Sequence, residues 1–263
     1  MSTGFEPDLT DLRQARLVEI VDAITSGLRD VVETHGLTED EWRAVLRFLT
    51  DVGVHEEFVL LSDVLRLSVL VDALSHPDGA GITPSNVAGP FWRPSPFLDA
   101  PATLVGEDEP GERLMLRGRV TAGDGRPIAD AELDLWHCNA EGLYDVQLPE
   151  AEGPRYRGRL RTDADGRYEV RTIVPPPYEV PKDGPVGRLL AALGRHAFRP
   201  AHVHYRVEAE GYAPLTTMVF VAGDPWLGDD VIGADKAGLT VAVDRSRTPA
   251  EATFDITLAR RGR

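Results

Sequence analysis

The sequence of 263 residues has a single cysteine and no long hydrophobic run. Cys138 cannot form an intrachain disulfide, and one thiol excludes zinc or iron–sulfur sites built from several thiolates. No stretch of about 18 apolar residues occurs, and the N-terminus lacks the basic and apolar regions of a secretory signal. We therefore expect no membrane span and a cytoplasmic location.

Basic residues are also scarce, since 28 Lys and Arg stand against 43 Asp and Glu and give a formal net charge of -15. Nucleic-acid-binding proteins gather positive charge to displace counterions from phosphates, so this balance argues against a nucleic-acid partner. It says little about a small substrate, because local arginines can reverse the field inside a cleft. The 42% hydrophobic content is enough for a substantial core.

The first third of the chain has helical periodicity, with one apolar stripe made by Leu17, Val21, Ile24, Leu28 and Val31. A glycine, at position 36, is placed to end this helix, and the Thr-x-x-Glu motif at 38–41 is a capping box for a second one. HEEFVLLSDVLRLSVLVDALS, at 55–75, predicts a third helix that is apolar nearly all round. Such a helix is typical of burial in a core or against another subunit.

After a connector rich in Pro, Gly and Ser, the hydrophobic period changes from 3.6 to 2 at about residue 112. Strands are predicted on both sides of the turns at 123–125, 165–166 and 210–211, with a last pair near the C-terminus and one helix in GPVGRLLAALG. The pattern predicts a mostly β protein with an antiparallel β-sandwich domain at 107–263. A helical domain with its connector precedes it at 1–106.

Two histidines share one face of the predicted strand RPAHVHYRV: His202 and His204 lie roughly 6–7 Å apart at their Cα atoms. Two imidazoles there can bind one ion, yet such a pair is also common as ordinary hydrogen-bonded histidines. Neither a cysteine cluster nor a glutamate at zincin spacing offers further ligands. Tyr144, just past a strand, and Tyr178, in a proline-stiffened loop, are the remaining candidates, unless both are ordinary half-buried phenols.

Five segments in this order, GPFW, LDLWHCNAEGLYD, TDADGRYEVRTIVPPPYEVPKDGPVG, GRHAFRPAHVHYRV and GYAPLTTMVFVAGDPW, resemble the intradiol ring-cleavage dioxygenases. The resemblance spans most of the chain and is to the catechol and hydroxyquinol 1,2-dioxygenase branch in particular. The helical N-terminal region is similar to the dimer-forming domain of that branch. The resemblance therefore implies a homodimer, with phospholipid tails as possible occupants of a tunnel at the interface.

By this resemblance, Tyr144, Tyr178, His202 and His204 are the ligands of a non-haem Fe3+ ion, with Tyr178 and His204 axial. Two phenolates offset most of the charge of Fe3+ and favour it over Fe2+. Arg199 is implied to lie over the substrate ring and to stabilise negative charge there, although an ordinary salt-bridged arginine is the alternative. Tyr178 is also implied as the base that takes a proton from the aromatic diol. Reaction with O2 then yields a muconate-type diacid, either a muconate or maleylacetate.

The resemblance also implies the residues that line the substrate pocket: Val69, Asp72, Gly89, Pro90, Phe91, Val174, Arg199 and Met218. Asp72 is a candidate acceptor for an additional ring hydroxyl, which favours hydroxyquinol, or else it caps helix-end amides. Met218 stands where catechol dioxygenases often have glutamine, which leaves room for a substituted or chlorinated ring. Two other classes stay open: a non-enzymatic, transthyretin-like β-sandwich, and a zinc or ferrous site for hydrolysis or extradiol cleavage.

Overall fold

A computed structural model describes residues 12–76, 79–99, 101–149 and 155–261. The chain forms two compact units, residues 1–54 and residues 55–263. The boundary that we predict after residue 106 stays a prediction. Among the described residues, no helix combines the length and hydrophobicity that crossing a bilayer requires. The cytoplasmic location stays a prediction as well.

The described part of the first unit contains two helices, α1 (Gln14–His35) and α2 (Glu39–Val54), as the periodicity predicts. Gly36 ends α1 in the left-handed conformation, with φ of 58°. The capping box is confirmed, because the Thr38 amide donates to Glu41 Oε2 at 2.8 Å and the Glu41 amide donates to Thr38 Oγ1 at 3.3 Å. These features are local in sequence, which is why the pattern reveals them.

The prediction of one helix over residues 55–75 is wrong, because the structure has two, α3 (Phe58–Val64) and α4 (Leu67–Ser75). Arg66 between them has φ of 62°, which a continuous helix cannot accommodate. The carbonyl of Val64 accepts a hydrogen bond from Arg195 Nη1 at 3.0 Å. In an unbroken helix that oxygen would bond to an amide four residues later. A contact from far along the chain thus takes part in ending α3.

The second unit is a two-layer β-sandwich, as predicted, but its two sheets are mixed and not purely antiparallel, because each has at least one parallel strand pair at an edge. The described strands, in chain order, are β1 (Ala102–Thr103), β2 (Arg113–Ala122), β3 (Glu132–Trp136), β4 (Arg157–Arg161), β5 (Arg167–Ile173), β6 (Tyr178–Glu179), β7 (Phe198–Arg199), β8 (His202–Glu208), β9 (Leu215–Val221), β10 (Thr240–Val241), β11 (Ala250–Thr253) and β12 (Ile256–Leu258). One sheet has the order β1-β5-β2-β11, with β12 also paired to β2, and the other has the order β10-β9-β8-β3-β4. Helix α5 (Pro185–Ala192) lies between β6 and β7, in the predicted segment.

The predicted hairpin at Glu210–Gly211 is confirmed, since β8 and β9 pair antiparallel on its two sides. The predicted hairpin at Asp165–Gly166 is wrong: β4 pairs with β3 in one sheet, and β5 pairs with β2 in the other. Leu160 of β4 and Val170 of β5 are both buried, and opposing sheets let both strands cover the same core. The C-terminal segment supplies strands as predicted, but they do not pair as one ladder: β10 joins β9, β11 joins β2, and an isolated antiparallel bridge joins Asp244 to Glu251.

Alternation along β8 decides where the histidines point. Tyr205 faces the opposite sheet, where its ring contacts those of Tyr168 and Phe254. His202 and His204 therefore face away from the interior of the sandwich. The connector covers this outer face, as we expected from its apolar content, because residues 88, 91 and 92 pack there. The histidines are consequently buried between the sheet and the connector.

Candidate active site

Two phenols and two imidazoles converge beneath the connector. Tyr144 Oη lies 3.5 Å from Tyr178 Oη and 3.3 Å from His202 Nε2, and His202 Nε2 lies 3.1 Å from His204 Nε2. Atoms held about 2.1 Å from a common ion, at right or tetrahedral angles, lie roughly 3.0–3.4 Å apart. The observed spacings therefore suit four ligands of one metal ion. All four side chains are buried.

The two imidazoles are oriented by different means. His202 Nδ1 lies 2.6 Å from the carbonyl oxygen of Pro200, which can only accept, so this nitrogen carries the proton and Nε2 presents its lone pair. His204 Nδ1 makes no hydrogen bond within the described part of the chain. Its ring instead lies parallel to the indole of Trp136, with centroids 4.8 Å apart and planes 3° apart. Trp136 is directly opposite His204 in the β3–β8 ladder, so strand pairing sets this stack.

The two tyrosines are placed by short segments between the main strands. Tyr178 lies in β6, directly opposite Arg199 in β7, so a two-residue ladder holds them side by side. Tyr144 follows a tight turn. In this turn the backbone amides of Glu141 and Leu143 donate hydrogen bonds to the side-chain oxygen of Asn139. A short 3-10 helix at 145–147 follows Tyr144. Backbone geometry therefore brings both phenols to the histidines.

Burial controls the charge of these groups. It raises the pKa of Tyr144 well above its usual value, and it also raises the pKa of Tyr178 despite the opposing effect of Arg199. Burial lowers the pKa values of His202 and His204 well below the usual range, and the charge of Arg199 adds to this. The imidazoles are therefore neutral and can donate lone pairs. The phenols need a hard, highly charged cation to ionise, and an Fe3+ ion fits this donor set.

A conventional zinc site is not found in the described residues, which contain no group of three or more His, Cys, Asp or Glu placed to hold a metal. The phenol–imidazole cluster is thus the metal-binding candidate there.

Arg199 is buried against the same cluster. Its Nη1 lies 3.4 Å from Tyr178 Oη and 3.2 Å from His202 Nε2. Its Nε and Nη2 donate to the two carboxylate oxygens of Asp230, each at 3.2 Å, and Nη2 also lies 3.2 Å from Met218 Sδ. The two interpretations of Arg199 therefore coexist, because it is salt-bridged and it also faces the cluster. Asp230 was missed, since nothing local links it to a residue 31 positions earlier.

Besides Arg199, three of the predicted pocket residues lie beside the cluster. A Cβ atom on Gly89 would lie 3.8 Å from His204 Cε1, so the connector backbone passes close to that ring. The ring of Phe91 stacks on Tyr144, with centroids 4.5 Å apart and planes 24° apart. Met218 contacts Arg199 and is directly opposite His204 in the β8–β9 ladder.

The other predicted pocket residues have different surroundings. Asp72 Oδ2 accepts hydrogen bonds from Lys236 Nζ at 2.7 Å and Ser85 Oγ at 3.0 Å. It lines a cavity of about 360 Å³ whose walls include none of the four clustered groups. Within the described residues, no hydrogen bond or ring contact joins the cluster to the remaining predicted positions, which are Val69, Pro90 and Val174.

A buried ion pair next to Tyr144 escaped the sequence interpretation. Arg157 bonds to both carboxylate oxygens of Asp145, and both side chains are only 1% exposed. Arg157 also donates to the carbonyl oxygens of Phe91 at 3.0 Å and Arg93 at 3.1 Å. The pair thus ties the connector to the residue after Tyr144. Asp145 is adjacent to a predicted ligand, but its partner is visible only in the folded chain.

Comparisons with known proteins decide the family. The dioxygenase family model matches residues 87–260, and the model of the catechol dioxygenase N terminus matches residues 14–83. The first match alone covers more than half of the chain. The chain belongs to the intradiol ring-cleavage dioxygenases. This confirms the resemblance and rejects the non-enzymatic β-sandwich.

Relatives of this intradiol dioxygenase extend over nearly its whole length. It is 40% identical to hydroxyquinol 1,2-dioxygenase of Rhizobium sp. (strain MTP-10005), over 90% of this chain and 82% of the relative. It is 42% identical to 6-chlorohydroxyquinol 1,2-dioxygenase of Cupriavidus pinatubonensis, over 85% of this chain and 83% of the relative. The crystal structure of 3-chlorocatechol 1,2-dioxygenase from Rhodococcus opacus 1CP superposes with a TM-score of 0.88 at 36% identity, covering 95% of this chain and 100% of that one.

Family membership makes this protein an enzyme. Intradiol dioxygenases are iron-dependent oxidoreductases that open the aromatic ring of catechol-type diols with O2. The expected reaction class is therefore confirmed.

Proposed function

We propose that this intradiol dioxygenase binds Fe3+ through Tyr144, Tyr178, His202 and His204 and cleaves hydroxyquinol between its two adjacent hydroxyl-bearing carbons. The observation that carries the proposal is the convergence of two phenol oxygens and two imidazole nitrogens at 3.1–3.5 Å in a buried cluster. The bound ferric ion would supply Lewis acidity, lowering the pKa of the diol and drawing electron density from its ring.

The protein side chains would handle protons and charge. Tyr178 Oη is the base that accepts a substrate proton, and Arg199 Nη1, 3.4 Å away, stabilises its phenolate form before that transfer. Arg199 also faces the negative charge that develops on the ring. Phe91 and Trp92 pack over the cluster and keep water from it. Each role needs the buried geometry, because exposed groups would be screened.

Hydroxyquinol is favoured over other diols by the names of the relatives at 40% and 42% identity. Asp72 as acceptor of a third ring hydroxyl stays a prediction, because its carboxylate already binds Lys236 and Ser85. The Asp72→Asn variant checks it through the ratio of kcat/KM for hydroxyquinol to that for catechol. A selective fall for hydroxyquinol supports recognition by Asp72, and an equal change for both contradicts it. The apolar side chain of Met218 favours a chlorinated diol as the alternative substrate.

The experiment loads the purified chain with Fe3+ or with Zn2+ and measures metal content, visible absorption and O2 uptake. The substrates are hydroxyquinol, catechol and chlorocatechols. We expect stoichiometric iron, a visible band from tyrosinate bound to Fe3+, and a ring-opened diacid product, with the highest kcat/KM for hydroxyquinol. The zinc form should be colourless and inactive. A colourless iron form, or a semialdehyde product from extradiol cleavage, would contradict the proposal.

We also propose that the enzyme is a homodimer. On α1 the predicted stripe includes Val21, Ile24, Leu28 and Val31, and each of these side chains is about half exposed. A second copy of the chain would remove this apolar surface from water. Sedimentation velocity should give a dimer for the natural chain and a monomer for Leu28→Glu, whereas Glu33→Gln, on the same helix, should stay dimeric. Bound phospholipid stays a prediction that mass spectrometry of a lipid extract checks.

A further inference from the structure

Asp230 holds Arg199 with both carboxylate oxygens. Oδ1 accepts from Arg199 Nε at 3.2 Å and from the Ile232 amide at 3.3 Å. Oδ2 accepts from Arg199 Nη2 at 3.2 Å and from the Ala234 amide at 3.2 Å. Asp230 is fully buried, and its roughly four acceptor positions are all occupied by these donors. Such a carboxylate cannot rotate without losing hydrogen bonds that water cannot replace.

The segment that carries Asp230 is itself fixed from several sides. The carbonyl of Val231 accepts from Arg195 Nη2 at 2.8 Å, and its amide donates to the carbonyl of Phe198 at 3.1 Å. The carbonyl of Ala234 accepts from Asn86 Nδ2 at 2.6 Å. Phe198 immediately precedes Arg199, so the backbones of the two partners are also joined. Asp230 is therefore a rigid anchor.

Because the guanidinium of Arg199 is planar, its contact with Asp230 also fixes the direction in which Nη1 points. With the Nε and Nη2 edge bound to Asp230, Nη1 must point away from the carboxylate. It is this atom that lies 3.4 Å from Tyr178 Oη and 3.2 Å from His202 Nε2. A guanidinium without the anchor has several rotamers available, and only some of them face the cluster.

We propose that Asp230 is the positioning residue of the active site, which aims Arg199 Nη1 at the place where the diol ring acquires negative charge. This inference rests on the proposed function and deepens it. Asp230 does not touch the reacting atoms, and it acts only through Arg199. The competing interpretation is that Asp230 merely neutralises a buried cation and keeps the protein folded.

A double-mutant cycle separates the two interpretations. Asp230→Asn, Arg199→Gln and the double variant are prepared as iron-loaded full chains, and kcat and KM are measured with hydroxyquinol. We expect Asp230→Asn to lower kcat by about 10- to 100-fold, as substitution of outer-shell partners commonly does, with KM changed less than about threefold. In the Arg199→Gln background the same change should lower kcat by less than about threefold, because no guanidinium remains to be aimed. Equal losses in the two backgrounds would overturn the proposal.

Asp63 offers a matched control. It is buried and interacts electrostatically with both Arg199 and Asp230, yet the described hydrogen bonds of the guanidinium do not include it. Asp63→Asn thus removes a nearby carboxyl group without removing the anchor. The kcat of this variant should stay within about threefold of that of the natural enzyme, because the change breaks none of the described hydrogen bonds between Arg199 and Asp230. A loss of kcat as large as that of Asp230→Asn would show that activity depends on carboxylate charge near Arg199 and not on the orientation of its guanidinium, and it would overturn the proposal.

Two further measurements distinguish a misplaced guanidinium from a misfolded variant and from a wrong assignment of the enzyme's function. The crystal structure of Asp230→Asn should show Nη1 turned away from Tyr178, whereas iron content and the visible band should match the natural protein. Should that variant not fold, Asp230→Glu keeps the charge and moves the anchor by one methylene, and it should show the same turned guanidinium with a smaller loss of kcat. A guanidinium unmoved in the variant would overturn the proposal. A natural chain without ring cleavage would refute the proposed function, and the guanidinium orientation would still report on the anchor.

Discussion

Gly142 lies close against Tyr178: a Cβ atom on Gly142 would lie 2.9 Å from the Cβ atom of Tyr178. The same glycine has φ of 83°, in the left-handed region that residues with a Cβ atom rarely adopt. The turn before Tyr144 and the loop that carries Tyr178 are therefore in direct contact. One glycine permits both the turn and this approach.

We expect Gly142→Ala to impair the active site beyond its effect on the turn. Gly211→Ala is the matched control, because Gly211 also has φ of 83° and an added Cβ atom would meet nothing within 4 Å. Both changes should lower the free energy of unfolding by about 1–2 kcal/mol from backbone strain. Only Gly142→Ala should also lower iron content and kcat. Urea unfolding, iron analysis and O2 uptake check this, and matching kcat values for the two variants would contradict it.

Tyr178→Phe removes the candidate base and ligand while preserving the ring. We expect kcat to fall at least about 100-fold, the usual contribution of a positioned acid or base, and the visible band to change. Tyr205→Phe is the control, since Tyr205 is fully buried but its ring faces the opposite sheet. That variant should keep the band and most of the activity. Wild-type rates in Tyr178→Phe would refute the assignment of this base.

Asp145→Asn should destabilise the fold by about 3–5 kcal/mol, because it leaves Arg157 as a buried charge without its counterion. The comparison is Asp165→Asn, which breaks the exposed pair with Arg167. Exposed pairs contribute little, so that variant should unfold at the same urea concentration as the natural chain. Equal midpoints for both variants would show that the buried pair does not stabilise the fold.

We expect the free energy of unfolding to depend on pH through the buried His137. Burial lowers its pKa to about 4, while Thr172 Oγ1 and the Cys138 carbonyl bond to its ring nitrogens. Between this value and about 6.5 the unfolded chain binds a proton that the folded chain does not, so stability is lost as the pH falls through that window. From pH 7.5 to 5 the loss due to this group is about 2 kcal/mol. In His137→Gln, urea unfolding should show a loss smaller by that amount, and an unchanged pH dependence would contradict the prediction.

Local sequence signals predicted the elements that depend on neighbouring residues. The end of α1 at Gly36 and the capping box of Thr38 and Glu41 involve atoms a few residues apart. The split between α3 and α4 was missed because it involves Arg195, more than 100 positions away. The pairing of β4 and β5 was mispredicted for a related reason. A turn motif specifies a reversal of the chain, but burial of the two strands decides which sheet each one joins.

The sequence by itself determined the change from helices to strands, because helical periodicity and strand alternation are written in neighbouring residues. The order of its motifs determined the resemblance to the family, and that resemblance implied the four candidate ligands. Only the tertiary structure decided the partners of those ligands: Trp136 stacked on His204, Phe91 on Tyr144, and Asp230 holding Arg199. Each of these contacts joins residues that are far apart in the sequence and adjacent in the folded chain. Strand pairing and burial create them, and neither is encoded at any one position.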